Sequence, residues 1–307
     1  MKPVQVRIWL KGGRKGRCII GYLKINNLYK DQNIMLFREC YALEKLHGTS
    51  SHITWKIQDG KGMLIFFSGG ESHQKFVQLF DQGTLRDKFA GMCDVVVYGE
   101  AYGGSCQKMS HTYGKQLKFA AFDVCINGMW LSVPQADDFV KELGLEFVDY
   151  VLIPTEVEAI NRERDRDSVQ AVRNGMGEGH KREGVVLRPL IELTRNDGKR
   201  VISKHKGDDF RETKAPRVID DPVKLKVLSD AQAIADEWCT PMRVAHILQK
   251  IEDPGMEKMR EIQVAMTADI KIEAEGEIVW SKPVEKAIGR LTAQLVKLHF
   301  QNALQDV

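Results

Sequence analysis

The sequence predicts an α+β fold followed by a small all-helical region. Up to about residue 214, short runs rich in β-branched and aromatic residues are broken by Gly and Asn. Helical stretches interrupt these runs, a mixture that suggests antiparallel sheets with helices packed on them. After Ala215-Pro216 the style changes to helical periods punctuated by Asp-Pro and Gly. The expected division is therefore an α+β domain over residues 1–214 and a helical domain over residues 215–307.

In chain order, the strand-type runs are Val4–Leu10, Ile53–Ile57, Met63–Phe67, Val95–Tyr98, Phe119–Ile126 and Gly184–Leu187. Helical stretches fall at Lys75–Phe80, Pro134–Leu143 and Thr155–Asn174. Arg7, Lys11, Arg14, Lys15 and Arg17 stand among the first β-type residues, as a solvated hairpin or as a basic edge for a strand backbone. Beyond the boundary, helices are expected over Asp221–Trp238, Met242–Ile251, Gly255–Glu273 and Ser281–Leu304. Pro222 and Pro283 suit first-turn positions, where a missing N–H costs nothing, and Asp221 and Ser281 are candidate caps.

Composition narrows the class. A hydrophobic content of 43% is ordinary for a soluble globular chain. No segment approaches the ~20 apolar residues that span a bilayer, and the charged start lacks the apolar core of a secretory signal. These features read as a soluble, cytoplasmic protein with no membrane partner. The six cysteines, Cys18, Cys40, Cys93, Cys106, Cys125 and Cys239, form no C-x-x-C pair and read as free thiols in a reducing compartment. The net charge of +3 is too small to identify a partner. Its distribution is uneven: residues 215–307 carry 12 Lys and Arg against 15 Asp and Glu, and the rest carries 33 against 27. The basic part is the front, as a phosphate-handling domain requires.

The strongest local signal is Glu44-Lys45-Leu46-His47-Gly48-Thr49. A lysine at a tight turn after a strand can be held near a phosphate and, as a free amine, can attack it. Its solution pKa of ~10.4 must be lowered for that. Downstream come Tyr98-Gly99-Glu100, Phe119-Ala120-Ala121-Phe122-Asp123, Glu183-Gly184-Val185-Val186-Leu187-Arg188 and Lys204-His205-Lys206. Each alone reads as an ordinary strand end, core phenylalanine, turn or solvated strand face. Together, in order and on β-type segments, they have one chemical logic: a nucleophile, a carboxylate for a cation, and lysines for phosphates. Lys204 and Lys206 are two apart, so on a strand both point to one face.

This order resembles motifs I, III, IIIa, IV and V of the covalent nucleotidyltransferases, the ligases and capping enzymes. It is most similar to the T4-phage-type RNA ligases that include the kinetoplast RNA-editing ligases. His47 stands where DNA ligases and capping enzymes usually carry Asp. Gly103-Gly104-Ser105-Cys106-Gln107-Lys108 looks like the Gln-Lys segment of that group. Lys204-His205-Lys206-Gly207-Asp208-Asp209-Phe210-Arg211-Glu212 looks like its lysine pair followed by Phe and an acidic residue. The resemblance covers about two-thirds of the chain and no motif of the helical region.

The resemblance implies a nucleotidyltransferase (ATP-grasp-like ligase) domain that uses ATP and Mg²⁺ or Mn²⁺. It implies an ATP-dependent RNA ligase, acting as a monomer on RNA or nicked duplex with 5′-phosphate and 3′-hydroxyl ends, in strand or nick repair. Lys45 would take AMP. The Glu44 backbone would read the adenine amino group, with Leu46, His47 and Gln107 also at the nucleotide. Glu100 would hold the ribose hydroxyls, and Phe122, or alternatively Phe119, would stack on adenine. Glu183 would serve the divalent metal, for which one carboxylate suffices because magnesium keeps several waters. Lys204 and Lys206 would neutralise the triphosphate and press on Lys45, disfavouring its ammonium. One departure stands out: the family usually carries Arg or Lys where this chain has Phe67-Ser68-Gly69-Gly70-Glu71. The Gly69 and Gly70 amides could substitute, or Arg38, Lys56 or Lys75 could reach in, or the segment is a plain loop. Alternative readings are a DNA ligase, which normally carries a C-terminal β-barrel, and a catalytically silent end-binding clamp, which would be expected to lose at least one of these residues.

Overall fold

The computed structural model describes residues 21–215, 219 and 230–305. The expected strand Val4–Leu10, its basic neighbours, Cys18, and Asp221 with Pro222 lie outside the described residues.

Two five-stranded sheets form the α+β part. The first contains β1 (Asn26–Asn27), β2 (Glu39–Lys45), β8 (Tyr150–Pro154), β9 (Gly184–Arg188) and β10 (Ser203–Lys206), in the order β1-β10-β9-β2-β8. The second contains β3 (Thr49–Gln58), β4 (Lys61–Phe67), β5 (Val95–Gly103), β6 (Leu117–Ile126) and β7 (Met129–Trp130), in the order β4-β3-β5-β6-β7. All pairs are antiparallel except β1 with β10. The turn Leu46-His47-Gly48 carries the chain from one sheet to the other.

Alternation along the strands decides what each face buries. Val95 and Val97 of β5 enter a core with Ile53, Trp55, Phe76 and Phe89. Helices α1 (His73–Val77), α2 (Gln82–Phe89), α3 (Ser110–Tyr113) and α4 (Val133–Glu142) flank the second sheet, and α4 contributes Val133, Ala136 and Val140 to its core. A separate cluster beneath the first sheet joins Cys40, Ala42, Val185 and Leu187 to Ile160 of α5 (Val157–Arg164). Fully burying such an aliphatic side chain contributes roughly 1.5–3 kcal/mol.

The expected single helix Thr155–Asn174 is two helices, α5 and α6 (Val169–Arg173). Ser168 breaks it: its hydroxyl accepts the Ala171 N–H as the α6 cap and also donates to the buried Glu44 carboxylate. That buried bond fixes Ser168 outside helical geometry. β8 and α2 escape a pattern reading. α2 starts on Asp81, whose side chain accepts from the Gly83 and Thr84 N–H groups as its cap.

The helical region comprises α7 (Ala231–Trp238), α8 (Pro241–Gln249), α9 (Met259–Glu273) and α10 (Lys282–Gln305). Ile234, Trp238, Val244, Ile247, Ile262, Met266, Ile270, Val284 and Ile288 form its own core. Asp230 and Thr240 cap α7 and α8, and Pro241 occupies the first turn of α8. Among the described residues, no helix is long and apolar enough to cross a membrane.

The C-terminal end of α9 docks on the front of the chain. Lys24 donates to the Ile272 carbonyl at 2.7 Å, and Lys30 donates to the Glu273 carbonyl and pairs with Glu277 at 2.6 Å. Cations at a helix C-terminus offset its unpaired carbonyls and negative dipole end. This contact closes one side of the cleft described next.

Candidate active site

Three strand ends meet at one point. Lys45 closes β2 and faces Gly184 in the β2–β9 ladder, and Gly184 faces Lys206 in the β9–β10 ladder. Glu183 immediately precedes β9. Gly184 has φ +152°, and a Cβ there would stand 2.1 Å from the His205 carbonyl oxygen. Only glycine lets the two strands approach this closely.

The Glu183 carboxylate is 2% exposed and accepts three cationic or N–H neighbours. Lys45 Nζ lies 2.8 Å from Oε2, His47 Nδ1 lies 3.3 Å from Oε2, and Lys206 Nζ lies 2.9 Å from Oε1. Burial alone would raise the Glu183 carboxyl, but the Lys206 and Lys45 ammoniums hold it well below the usual carboxylate range. Lys206 shows the reciprocal balance: burial would lower it, and the carboxylates of Glu183 and Glu212 raise it. Lys204 is lowered, first by burial and then by Lys206, against the opposing pull of Glu273 at 3.9 Å.

The expectation that Lys45 presses on two other lysines needs correction. Glu183 stands between Lys45 and Lys206, giving one oxygen to each. A second carboxylate, Glu212, contacts Lys206 from the other side and also meets His246 Nδ1 at 3.2 Å and Arg243 Nη2 at 3.4 Å. Burial pushes Glu212 up, and Lys206 and His246 hold it well below the ordinary value.

A cleft of about 420 Å³ opens above this floor. Glu44, Lys45, Leu46, His47, Glu100, Gln107, Phe122, Glu183, Lys204 and Lys206 all line it. The fold thus brings these ten candidate residues to one cavity. Glu100 accepts the Gly48 N–H at 3.1 Å, and burial, opposed by Lys45, pushes its carboxyl up to about 7. Gln107, at φ +52°, donates from Nε2 to the Gly48 carbonyl at 3.2 Å. His47 N–H donates to the Tyr113 hydroxyl at 3.2 Å. The turn after Lys45 is therefore held from three sides.

The Glu44 side chain turns away from chemistry. It is buried, accepts from Ser168 and the Gln170 N–H, and faces Arg182 at 4.0 Å. Leu46 likewise points into the core. Of the two phenylalanines, Phe122 lines the cleft, whereas Phe119 packs against Phe76 and Phe80 in the core. Phe122 meets the ring edge of Tyr22 at 4.8 Å, and its carbonyl accepts from Arg188 Nη1 at 3.3 Å. Behind it lies a buried charge network. Asp123 bonds Arg188 at 3.0 Å and Arg200 at 2.6 Å and accepts from the Tyr22 hydroxyl at 2.8 Å.

None of Arg38, Lys56 or Lys75 lines the cleft, and Lys56 is engaged by Asp94. The Gly70 N–H donates to the Thr49 hydroxyl at 2.9 Å. The cations that do line it, beyond those expected, are Lys24, Arg188 and Lys250. His246, Gln249 and Lys250 of the α8 end, with Asp269 and Glu273 of α9, form one wall. These residues were missed, although their spacing of three and four marks single helix faces.

The donors fit a divalent cation only in a sparse form. Among the described residues no group of three or more His, Cys, Asp or Glu is disposed to hold a metal. Glu183, between Lys45 and Lys206 at the floor of the cleft, offers one carboxylate, a number that magnesium tolerates.

A family model described as RNA ligase matches residues 38–206. No curated protein matches the chain. Among solved structures, the chain is similar to a Naegleria gruberi RNA ligase with PPi, at 18% identity and a TM-score of 0.48, covering 68% of this chain and 62% of that one. It is also similar to a lysine-to-methionine mutant of that ligase with AMP and Mn, at 17% identity and a TM-score of 0.47, covering 62% and 57%. The chain matches about three-fifths of the length of those structures.

Proposed function

Since the chain belongs to the RNA ligase family, we propose that it joins a 3′-hydroxyl end to a 5′-phosphate end of RNA, single-stranded or nicked in duplex, with ATP as the energy source. The observation that carries this reading is the convergence of Lys45, Glu183 and Lys206 at the floor of a nucleotide-sized cleft.

Lys45 Nζ bonds to the α-phosphorus of ATP as pyrophosphate leaves, and AMP rests on the lysine. AMP then passes to the 5′-phosphate, and the 3′-hydroxyl displaces it as the phosphodiester forms. Lys204 and Lys206 neutralise phosphate oxygens, a contribution that a low-dielectric site makes large. Glu100 holds the ribose hydroxyls and Phe122 supplies a flat face to adenine, with Val186 also on the wall. Leu46, His47 and Gln107 shape the turn that holds Lys45. Glu183 would hold Mg²⁺ or Mn²⁺, which when bound would draw charge from the phosphates. The same reading assigns residues 1–214 to adenylylation and residues 215–307 to a helical domain of a monomer.

The test is incubation with α-labelled ATP or GTP and Mg²⁺, denaturing electrophoresis, and then a chase with 5′-phosphorylated RNA. A covalent band from ATP that the RNA discharges supports the reading. A band from GTP moves the protein to capping chemistry, and no band in protein stripped with pyrophosphate leaves a silent clamp.

A further inference from the structure

Helix α8 turns two faces to two environments. Val244, Ile247 and Leu248 enter the helical core, while His246, Gln249 and Lys250 line the cleft. The end of the helix closes tightly on the Gly69-Gly70 turn. A Cβ on Gly70 would stand 2.7 Å from the Gln249 carbonyl oxygen, and one on Gly69 would stand 2.4 Å from the Ser50 carbonyl oxygen. Two glycines thus let the helix end seat against the lip formed by Thr49 and Ser50, and that seating puts Lys250 at the mouth.

The cleft cations differ in setting. The side chains of Lys45, Lys204 and Lys206 are 22%, 15% and 13% exposed, and each has a carboxylate partner inside. Lys250 is 62% exposed and pairs with Asp269 at 3.3 Å. Exposed pairs contribute at most about 1 kcal/mol, so Lys250 can exchange Asp269 for another anion at little cost. The phosphates of a nucleotide bound at Lys45 fall to the enclosed lysines. A cation at the mouth meets what is too large to enter, a strand whose end alone reaches Lys45.

We propose that Lys250 binds a backbone phosphate of the RNA strand whose end enters the cleft, so that the helical region takes part in holding the substrate. This rests on the ligase reading for its choice of RNA, but its test needs no catalysis. Binding of fluorescent 5′-phosphorylated RNA, as a single strand and as a nicked duplex, is measured by anisotropy at several salt concentrations. Lys250→Ala is expected to weaken binding about three- to fivefold, the scale of one exposed charge contact. The slope of log affinity against log salt should fall by about one, a signature that a merely structural role would not produce. Lys250→Arg should restore both. Unchanged affinity and slope in Lys250→Ala would overturn the proposal. So would a rise in the ATP concentration needed for labelling with RNA binding unmoved, which would assign the cation to the nucleotide. A wild-type chain that takes no AMP defeats the ligase reading, and the RNA titration still decides the role of Lys250.

Discussion

Lys45 and Glu183 meet at 2.8 Å across the ends of two paired strands, and Lys206 takes the other carboxylate oxygen at 2.9 Å. Lys45→Ala is expected to abolish covalent AMP labelling. The fold should persist, because Glu183 keeps Lys206 and His47 as partners. Denaturing electrophoresis with labelled ATP and a melting curve check both halves. A labelled band in the variant would remove Lys45 from its role.

Glu183→Gln removes the anion between two lysines. Labelling should slow by at least about a hundredfold, the usual scale for losing a preorganised charge. Stability should drop by about 3 kcal/mol, since breaking a buried pair strands its partner. Rates across a magnesium titration, with urea unfolding alongside, provide the readout. A variant with wild-type rates at every magnesium concentration would refute the assignment.

Glu100 gives a pH signature. Its carboxyl sits at about 7 in the fold, against an ordinary 4.5. Between those values the folded state holds more protons than the unfolded state, so this group makes stability fall as pH rises through the window. Ribose binding by the ionised carboxylate implies the opposite trend for activity, which should fall as pH drops through about 7. Glu100→Gln should lose both dependences. A variant whose activity keeps the same acidic limb would point to another group.

Glu273 is a counter-ion for Lys24 at 3.5 Å and for Lys204 at 3.9 Å. An incoming phosphate must compete with it. Glu273→Gln should lower the ATP concentration for half-maximal labelling by roughly two- to fivefold, the scale of a partly exposed pair. An unchanged or higher requirement would mean that Glu273 does not compete with the nucleotide.

Asp123 is fully buried between Arg188 and Arg200. Asp123→Asn should cost about 3–5 kcal/mol in urea unfolding, because two enclosed guanidiniums lose their anion. A loss below 1 kcal/mol would show that Glu192, which contacts both arginines, suffices for them.

Much of the site was legible because the motif order resembles the RNA ligases, and strands fix the direction of the side chains that carry it over short distances. Lys45, Glu100, Phe122, Lys204 and Lys206 lie on strands, Glu183 stands just before β9, and each residue lines the cleft. What escaped depends on tertiary contact. His246, Gln249 and Lys250 look like the solvated face of an amphipathic helix until α8 is docked. Glu212 follows a short turn after β10, where no periodicity points it at Lys206. The split at Ser168 depends on Glu44, more than a hundred residues away. The expected crowding of lysines failed for a related reason, since strand alternation says which face Lys206 takes but not that a carboxylate fills the gap.

The ladder through Gly184 has a mechanical consequence. The spacing of Lys45, Glu183 and Lys206 is set by main-chain register rather than by a loop that can adjust. A strand slip of one residue would turn side chains to the opposite face. Partial opening of β9 would therefore scatter all three groups in one event. Catalytic capacity and the integrity of the first sheet should disappear together during unfolding, leaving no loosened form that still works.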